Sequence, residues 1–278
     1  MFAKLTNEAR IKFILRPRTP IFIKDARDGG FDPTVADMQF IRGYKNGERV
    51  PVIPGSSLKG VIRSHAERIL RTYDEKWACN STQSQCRPDR KQPAKKRYDD
   101  SCYACRLFGN TGIASRFYCE DAYPVNPSAV VLTGRPHVAI NRITGAAASG
   151  ALFSVEALEE GDFLVEMGLK NFNHWQLYLI ALVLKDMDDG FLPIGGQTSR
   201  GYGRVRVVDA KVTLRQYGTG EGEFVLKGHL SQEAVKLSGC EVAAGGYYRE
   251  VTLSLFDLLS DKIPYGNLEK LVREEEGK

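Results

Sequence analysis

The chain has 278 residues, 42% of them hydrophobic and 26% charged, which is enough to fill a core of its own without depending on staples throughout. This balance excludes a largely disordered chain, and without an apolar run of about 18 residues no membrane-spanning helix is expected. The net charge is +5 but uneven: Arg42 to Arg116 holds 16 Lys/Arg against 7 Asp/Glu, a balance of +9, so the remainder sums to −4. A basic segment on a near-neutral body suits a polyanionic partner, with a solvated basic face as the plain alternative. Met1-Phe2-Ala3-Lys4-Leu5-Thr6 is not followed by the apolar stretch of a signal peptide, so a cytoplasmic location is expected.

In chain order, residues 9–15 alternate and then turn apolar, which predicts a strand. Residues 24–39 hold five Asp or Arg, two Gly and Pro33, and read as a loop. Residues 40–53 read as a hairpin with Asn46-Gly47 at its tip. After Pro54-Gly55-Ser56-Ser57, the residues Leu58, Val61, Ile62, His65, Ala66, Ile69 and Leu70 recur at helical spacing, so a helix capped by Ser56 or Ser57 is expected. Residues 74–106 read as a polar insertion without regular structure, and 115–121 as a strand. Residues 124–161 read as a long excursion with a Gly/Ala-rich tip at Thr144 to Gly150. A strand at 162–168, a buried helix at 174–187, a glycine-rich loop at 192–203 and a strand at 204–214 follow.

Without the insertions the order is β-α-β-β-α-β. The expected fold class is α+β, ferredoxin-like, a modified RNA-recognition-motif fold with large insertions. The domain would span residues 1–215, with a zinc-binding insertion at 74–106 and a thumb-like insertion at 124–161. Residues 216–278 read as a C-terminal extension with a charged tail.

Three motifs carry chemistry. At the Gly55-Ser56-Ser57 loop, backbone N–H groups and the positive end of a helix dipole converge, a ready receiver of phosphate. Lys59 and Arg63, four residues apart, would project from one face of that helix. A capped helix with two surface bases is the bland alternative. In the second motif, Gly195 to Gly203, the glycines let backbone lie against a ligand. Gln197, Thr198 and Ser199 can hydrogen-bond there, Arg200 can pair with phosphate, and Tyr202 can stack on a base. A tight helix-to-strand connection is the competing account.

The third motif is a cysteine group. Cys79, Cys86, Cys102 and Cys105 fall within 27 residues, and four thiolates would close a tetrahedral structural zinc site. His65 is a substitute ligand to weigh, although its apolar surroundings favour a core histidine. Cys119 and Cys240 read as buried apolar residues.

Three segments together resemble the signature of the RAMP superfamily of CRISPR-associated proteins, and most closely the backbone subunits of type III effector complexes. They are Ile53-Pro54-Gly55-Ser56-Ser57-Leu58-Lys59-Gly60-Val61-Ile62-Arg63, Cys102-Tyr103-Ala104-Cys105-Arg106-Leu107-Phe108-Gly109, and Gly195-Gly196-Gln197-Thr198-Ser199-Arg200-Gly201-Tyr202-Gly203. The resemblance covers roughly residues 9–214. It implies a hand-like subunit that stacks with copies or paralogues along guide CRISPR RNA and meets target RNA, alongside other effector subunits and away from membranes. The helix after Gly55 would grip the guide, the 124–161 thumb, with Arg142 among its RNA contacts, would insert between nucleotides, and the acidic loop would reach the target strand.

The resemblance also implies an endoribonuclease in which a 2′-hydroxyl attacks the neighbouring phosphate, aided by Mg or Mn and a loop aspartate. Asp37, in Asp37-Met38-Gln39-Phe40-Ile41-Arg42, fits that position, although Gln39 stands where a proline is common. Asp25, Asp28 and Asp32 share the loop and leave the register open. Three rivals remain: a subunit that binds without cutting, a guide-processing ribonuclease of the same superfamily, and a zinc-stapled RNA-binding protein acting alone. Of the four histidines, His65, His137, His174 and His229, none sits in a recognisable catalytic setting, which weighs against the guide-processing branch.

Overall fold

The computed structural model describes residues 4–25, 36–80, 86, 89–218, 224–229, 234–237, 243–245, 247–260 and 267–276. Strand β1 (Asn7–Pro17) buries Ala9, Ile11, Phe13 and Leu15 on one face and turns Arg10, Lys12 and Arg16 to the other. The hairpin is formed by β2 (Arg42–Lys45) and β3 (Glu48–Pro51). Asn46 and Gly47 both take positive φ at its tip, as a two-residue turn of this twist requires.

Helix α1 (Gly55–Tyr73) buries Leu58, Ile62, Ala66 and Leu70, one stripe at four-residue steps. Its cap corrects the expectation. The helix begins at Gly55, and Pro54, the N-cap, has no capping side chain; neither Ser56 nor Ser57 caps the helix, and the extended Pro54 hands its carbonyl to the Leu58 N–H.

The insertion is also more regular than expected. It contains a 3₁₀ turn (Glu75–Trp77), α2 (Ala94–Asp99) and the start of α3 (Tyr103–Phe108). It does not hang outside the core, because Trp77 and Tyr98 are buried, Trp77 packs edge-on against Tyr103, and Tyr103 does the same against Trp175.

Strands β4 (Phe117–Cys119) and β5 (Tyr123–Pro124) follow. The expected excursion is a long antiparallel ribbon of β6 (Val131–Ile140) and β7 (Ala147–Glu160). Its turn lies at 141–146, where the Asn141 carboxamide oxygen accepts the N–H groups of Ile143 and Thr144. Next come β8 (Phe163–Lys170), α4 (His174–Asp188) and β9 (Val205–Tyr217). Asn173 and Gln176 cap α4 reciprocally in a capping box. The remaining elements are β10 (Phe224–Lys227), β11 (Ala234–Leu237), β12 (Ala243–Gly245), β13 (Tyr248–Ser254) and α5 (Leu268–Glu276).

The architecture is mixed α and β around a main antiparallel sheet in the order β12-β13-β9-β1-β8-β4, with β5 also on β8. The core lies between one face of this sheet and the helices α1 and α4. The other face keeps its polar side chains. Residues beyond 215 join the same body: β13 pairs with β9, and Leu268, Leu271 and Val272 of α5 enter the main core. Among the described residues no helix is long and apolar enough to cross a membrane.

Candidate nucleic-acid interface and metal centre

Segment Pro20–Ile23 is the hub on which the loops converge. Its Phe22 carbonyl accepts the Gly196 N–H, its Pro20 carbonyl accepts the Gly203 N–H, and Ile21 exchanges two backbone bonds with Leu158 of β7. Gly195 and Gly203 hold φ of +79° and +86°, and a Cβ on either would stand 2.3 Å from the Phe22 carbonyl oxygen or 2.1 Å from that of Ile194. These two glycines therefore let the chain approach itself. The outer part of the loop is open: Thr198, Ser199 and Arg200 are exposed, and Arg200 donates to the Gln197 side chain at 2.5 Å.

Tyr202 faces inward. It is buried with Phe22, Val155 and Ala157, its hydroxyl sits 3.0 Å from His137 Nε2, and His137 stacks on Phe153. In this arrangement its ring fastens the glycine loop to the root of the ribbon. Arg142 lies exposed in the ribbon's turn beside Ile143, which is 95% exposed.

Asp37 is exposed and lies against the same root. Its Oδ2 accepts the Ser154 N–H at 2.7 Å and the Ser154 hydroxyl at 3.1 Å. These two bonds hold the carboxyl below the ordinary aspartate value. Next to it, Met38 pairs with Val155, and Glu156 grips Arg42 through both oxygens at 2.6 and 2.8 Å. Asp25 is buried, whereas Asp28 and Asp32 lie outside the described residues.

At the α1 terminus the phosphate-receiving features are taken by the chain itself. Asp121 accepts the Gly55 N–H at 2.8 Å, and a Cβ on Gly55 would lie 2.4 Å from the Cys119 carbonyl oxygen. Ser56 is exposed and Ser57 half-buried. Lys59 turns inward to the Ser115 hydroxyl and the Phe117 carbonyl, at 3.0 and 3.1 Å, and burial beside Arg63 pushes its ammonium below the usual lysine value. Arg63 spans Glu67 at 2.9 Å and the Gly109 carbonyl at 3.2 Å.

The four cysteines meet. The sulfurs of Cys79, Cys86, Cys102 and Cys105 all lie within 4.8 Å of one another, and Cys79 is 3.7 Å from Cys105. Zinc–sulfur bonds of 2.3 Å set sulfurs about 3.8 Å apart in a tetrahedron, so the set could hold a metal such as zinc. The Cys105 thiol's hydrogen bond, working against burial, brings Cys102 down to about 5, while burial pushes Cys79 up to about 12. Thiolates packed this closely repel one another, and only a bound cation would let all four ionise. His65 is not part of the set; its Nε2 lies 2.6 Å from Asp186 on α4, and Arg68 approaches Nδ1. Cys119 is half-buried, and Cys240 lies outside the described residues.

Several contacts of these residues were not anticipated: those of Asp121, Ser154 and Glu156, and the His137–Tyr202 pair. For Ser154 and Glu156 a signal existed, since Phe153, Val155 and Ala157 alternate with them at strand period.

A mixed sheet-and-helix body that joins a glycine-rich loop, a β-ribbon and a four-cysteine knuckle defines a class, and the comparison with known families agrees. The RAMP superfamily matches residues 15–206, and the chain belongs to that superfamily. Among characterised proteins, it is 28% identical over 178 residues to the CRISPR system Cms endoribonuclease Csm3 of Methanocaldococcus jannaschii. The match covers 59% of this chain and 65% of the length of that relative.

Proposed function

We propose that the chain is a backbone subunit of a type III CRISPR effector complex, that it binds guide RNA, and that it cleaves the complementary target RNA with a divalent metal. The observation that carries the reading is the convergence of glycine loop and ribbon root on Pro20–Ile23, with Asp37 held on the same ribbon root by Ser154, in a RAMP-superfamily chain. The succession β1-α1-β4-β8-α4-β9, with sheet order β9-β1-β8-β4, supports a ferredoxin-like, modified RNA-recognition domain. The 74–106 insertion would be its zinc-stapled part and the ribbon its thumb. A cytoplasmic location belongs to the same reading.

The exposed Thr198, Ser199, Arg200 and Ser56 are the groups free to meet the guide backbone, with Arg142 on the ribbon turn. Lys59 and Arg63 are committed to internal partners. In this reading they fix α1 against β4 and the cysteine knuckle, and Gln197 and Tyr202 hold the loop that presents Arg200.

For cleavage, Asp37 is the catalytic residue. Ser154 keeps its carboxylate ionised, which suits a metal ligand better than a proton acceptor. The residue is exposed, so the carboxylate is open to a ligand from solvent. Asp37 would hold a magnesium or manganese ion, which would supply charge neutralisation at the target phosphate; the 2′-hydroxyl would give its proton to solvent as its oxygen bonds to phosphorus, and the 5′-oxygen would leave with a proton taken from solvent. Ser154 orients the carboxylate, and the Arg42–Glu156 pair fixes the strand that carries it.

The test is the complex reconstituted with a guide and a matched target in magnesium. Asp37→Ala keeps assembly and guide content and loses cleavage. Normal cleavage by that complex contradicts the assignment. Guide binding without cleavage in the unaltered complex selects instead a subunit that binds without cutting.

A further inference from the structure

The helix-free face of the main sheet carries an arrangement that folding alone does not explain. Along the seam between β1 and β9, Lys12 stands directly across from Lys211, and Arg16 directly across from Arg206. Like charges facing each other across a strand pair cost stability. Neither pair is forced by packing, since all four side chains point away from the core. Carboxylates answer part of this charge: Glu8 pairs with Arg10, Glu166 with Lys12, Asp162 with Arg16, and Glu250 with Arg215, while Asp209 on β9 lies near Arg16 without pairing with it. Lys211 and Arg206 have no ion pair among the described residues, and neither has Lys170, which lies over the Tyr118 ring.

The same face ends in aromatics. Tyr217 is stacked on Tyr247 with ring centres 5.9 Å apart, Tyr248 meets both edge-on, and the Arg215 guanidinium lies over Tyr248 at 3.9 Å. Tyr247 is 65% exposed. The two cationic rows are four residues, about 14 Å, apart along β1, and the tyrosines lie beyond them at the far end of β9 from the glycine loop. Cations spaced along a strand seam, followed by an exposed aromatic stack, are what a single-stranded nucleic acid requires: charge for its phosphates and a π-face for its bases.

We infer that this face is a second RNA-binding surface, on which the backbone of a single strand follows the β1–β9 seam over Lys12, Lys211, Arg16 and Arg206 and a base stacks on Tyr247. It needs only that the chain meets single-stranded RNA. It does not require that the chain cut RNA, and it uses neither the glycine loop nor Asp37.

The probe is a labelled oligouridylate, titrated into the full chain at several salt concentrations. Lys211→Gln with Arg206→Gln should weaken binding about tenfold at low salt and lower the salt slope by about 1.4, near 0.7 per phosphate contact on a single strand. The melting temperature should hold or rise, because the like-charge pairs are relieved. Tyr247→Ala should weaken binding with the salt slope unchanged. Photocrosslinking from 4-thiouridine should reach β9 and β13. Wild-type affinity and slope in the double variant overturn the inference, as do crosslinks confined to the ribbon and glycine loop. Unchanged RNA binding with loss of association to a protein subunit would also overturn it, and would mark the face as a protein contact. Arg200→Gln, read in the same assay, tests the loop separately, so the two surfaces can fail independently.

Discussion

Lys59 and Arg63 show what sequence spacing conveys at the scale of single residues. Four-residue spacing places both on one helix face, and both do lie there. Spacing does not tell whether that face is open, and here Ser115, Phe117 and Gly109 close it. Gly55 is similar: the close approach it permits is real, but the visitor is the chain's own 119–120 backbone. The cysteines were legible because the signal is local and chemical, two pairs near in sequence with one affinity. Their convergence yields a prediction. Cys102→Ser removes one of the four sulfurs that a closed tetrahedral site needs, so the purified variant should lose the roughly one zinc per chain expected of such a site. Elemental analysis of wild type and variant reads this directly. A wild-type chain without zinc, prepared with zinc supplied, would refute the site.

Among elements, the ribbon and the C-terminal helix were the least legible. Gly134 and Pro136 interrupt the pattern of β6, and the small residues at the start of β7 lack strand character, so the pair read as an excursion. Only the alternation from Phe153 to Ala157 announced it. Helix α5 read as part of an extension with a charged tail, yet it is anchored by a carboxylate that is largely buried. Glu275, 7% exposed, accepts from Arg106 at 3.1 Å, from the Asn173 carboxamide at 2.8 Å, and from the Trp175 indole N–H. No local pattern could reveal this, since the partners lie a hundred or more residues away. Arg106 follows Cys105 of the four-cysteine group, so the contact ties that group, α4 and α5 together. Glu275→Ala leaves the Arg106 guanidinium without its carboxylate, and breaking such a buried pair should cost about 3 kcal/mol in denaturant unfolding. A loss under about 0.5 kcal/mol would show that α5 docks by its apolar residues alone.

For the whole molecule, helix and strand periodicity carried the main body, because each element there buries one continuous face. β1, α1, β4, β8, α4 and β9 all stand within a few residues of expectation. The parts that specialise the body are held by distant hydrogen bonds: the cysteine insertion, the ribbon and the segment after 215. The central claim is that this body serves as the guide-RNA backbone of an effector complex. Its most direct measurement is to express the chain with its genomic neighbours, purify the assembly through this chain, and sequence the RNA that accompanies it. The account predicts a discrete population of guide RNAs sharing repeat-derived sequence, in a particle with several copies or paralogues of this subunit. A monodisperse monomer carrying only a random sample of cellular RNA, or none, would contradict it.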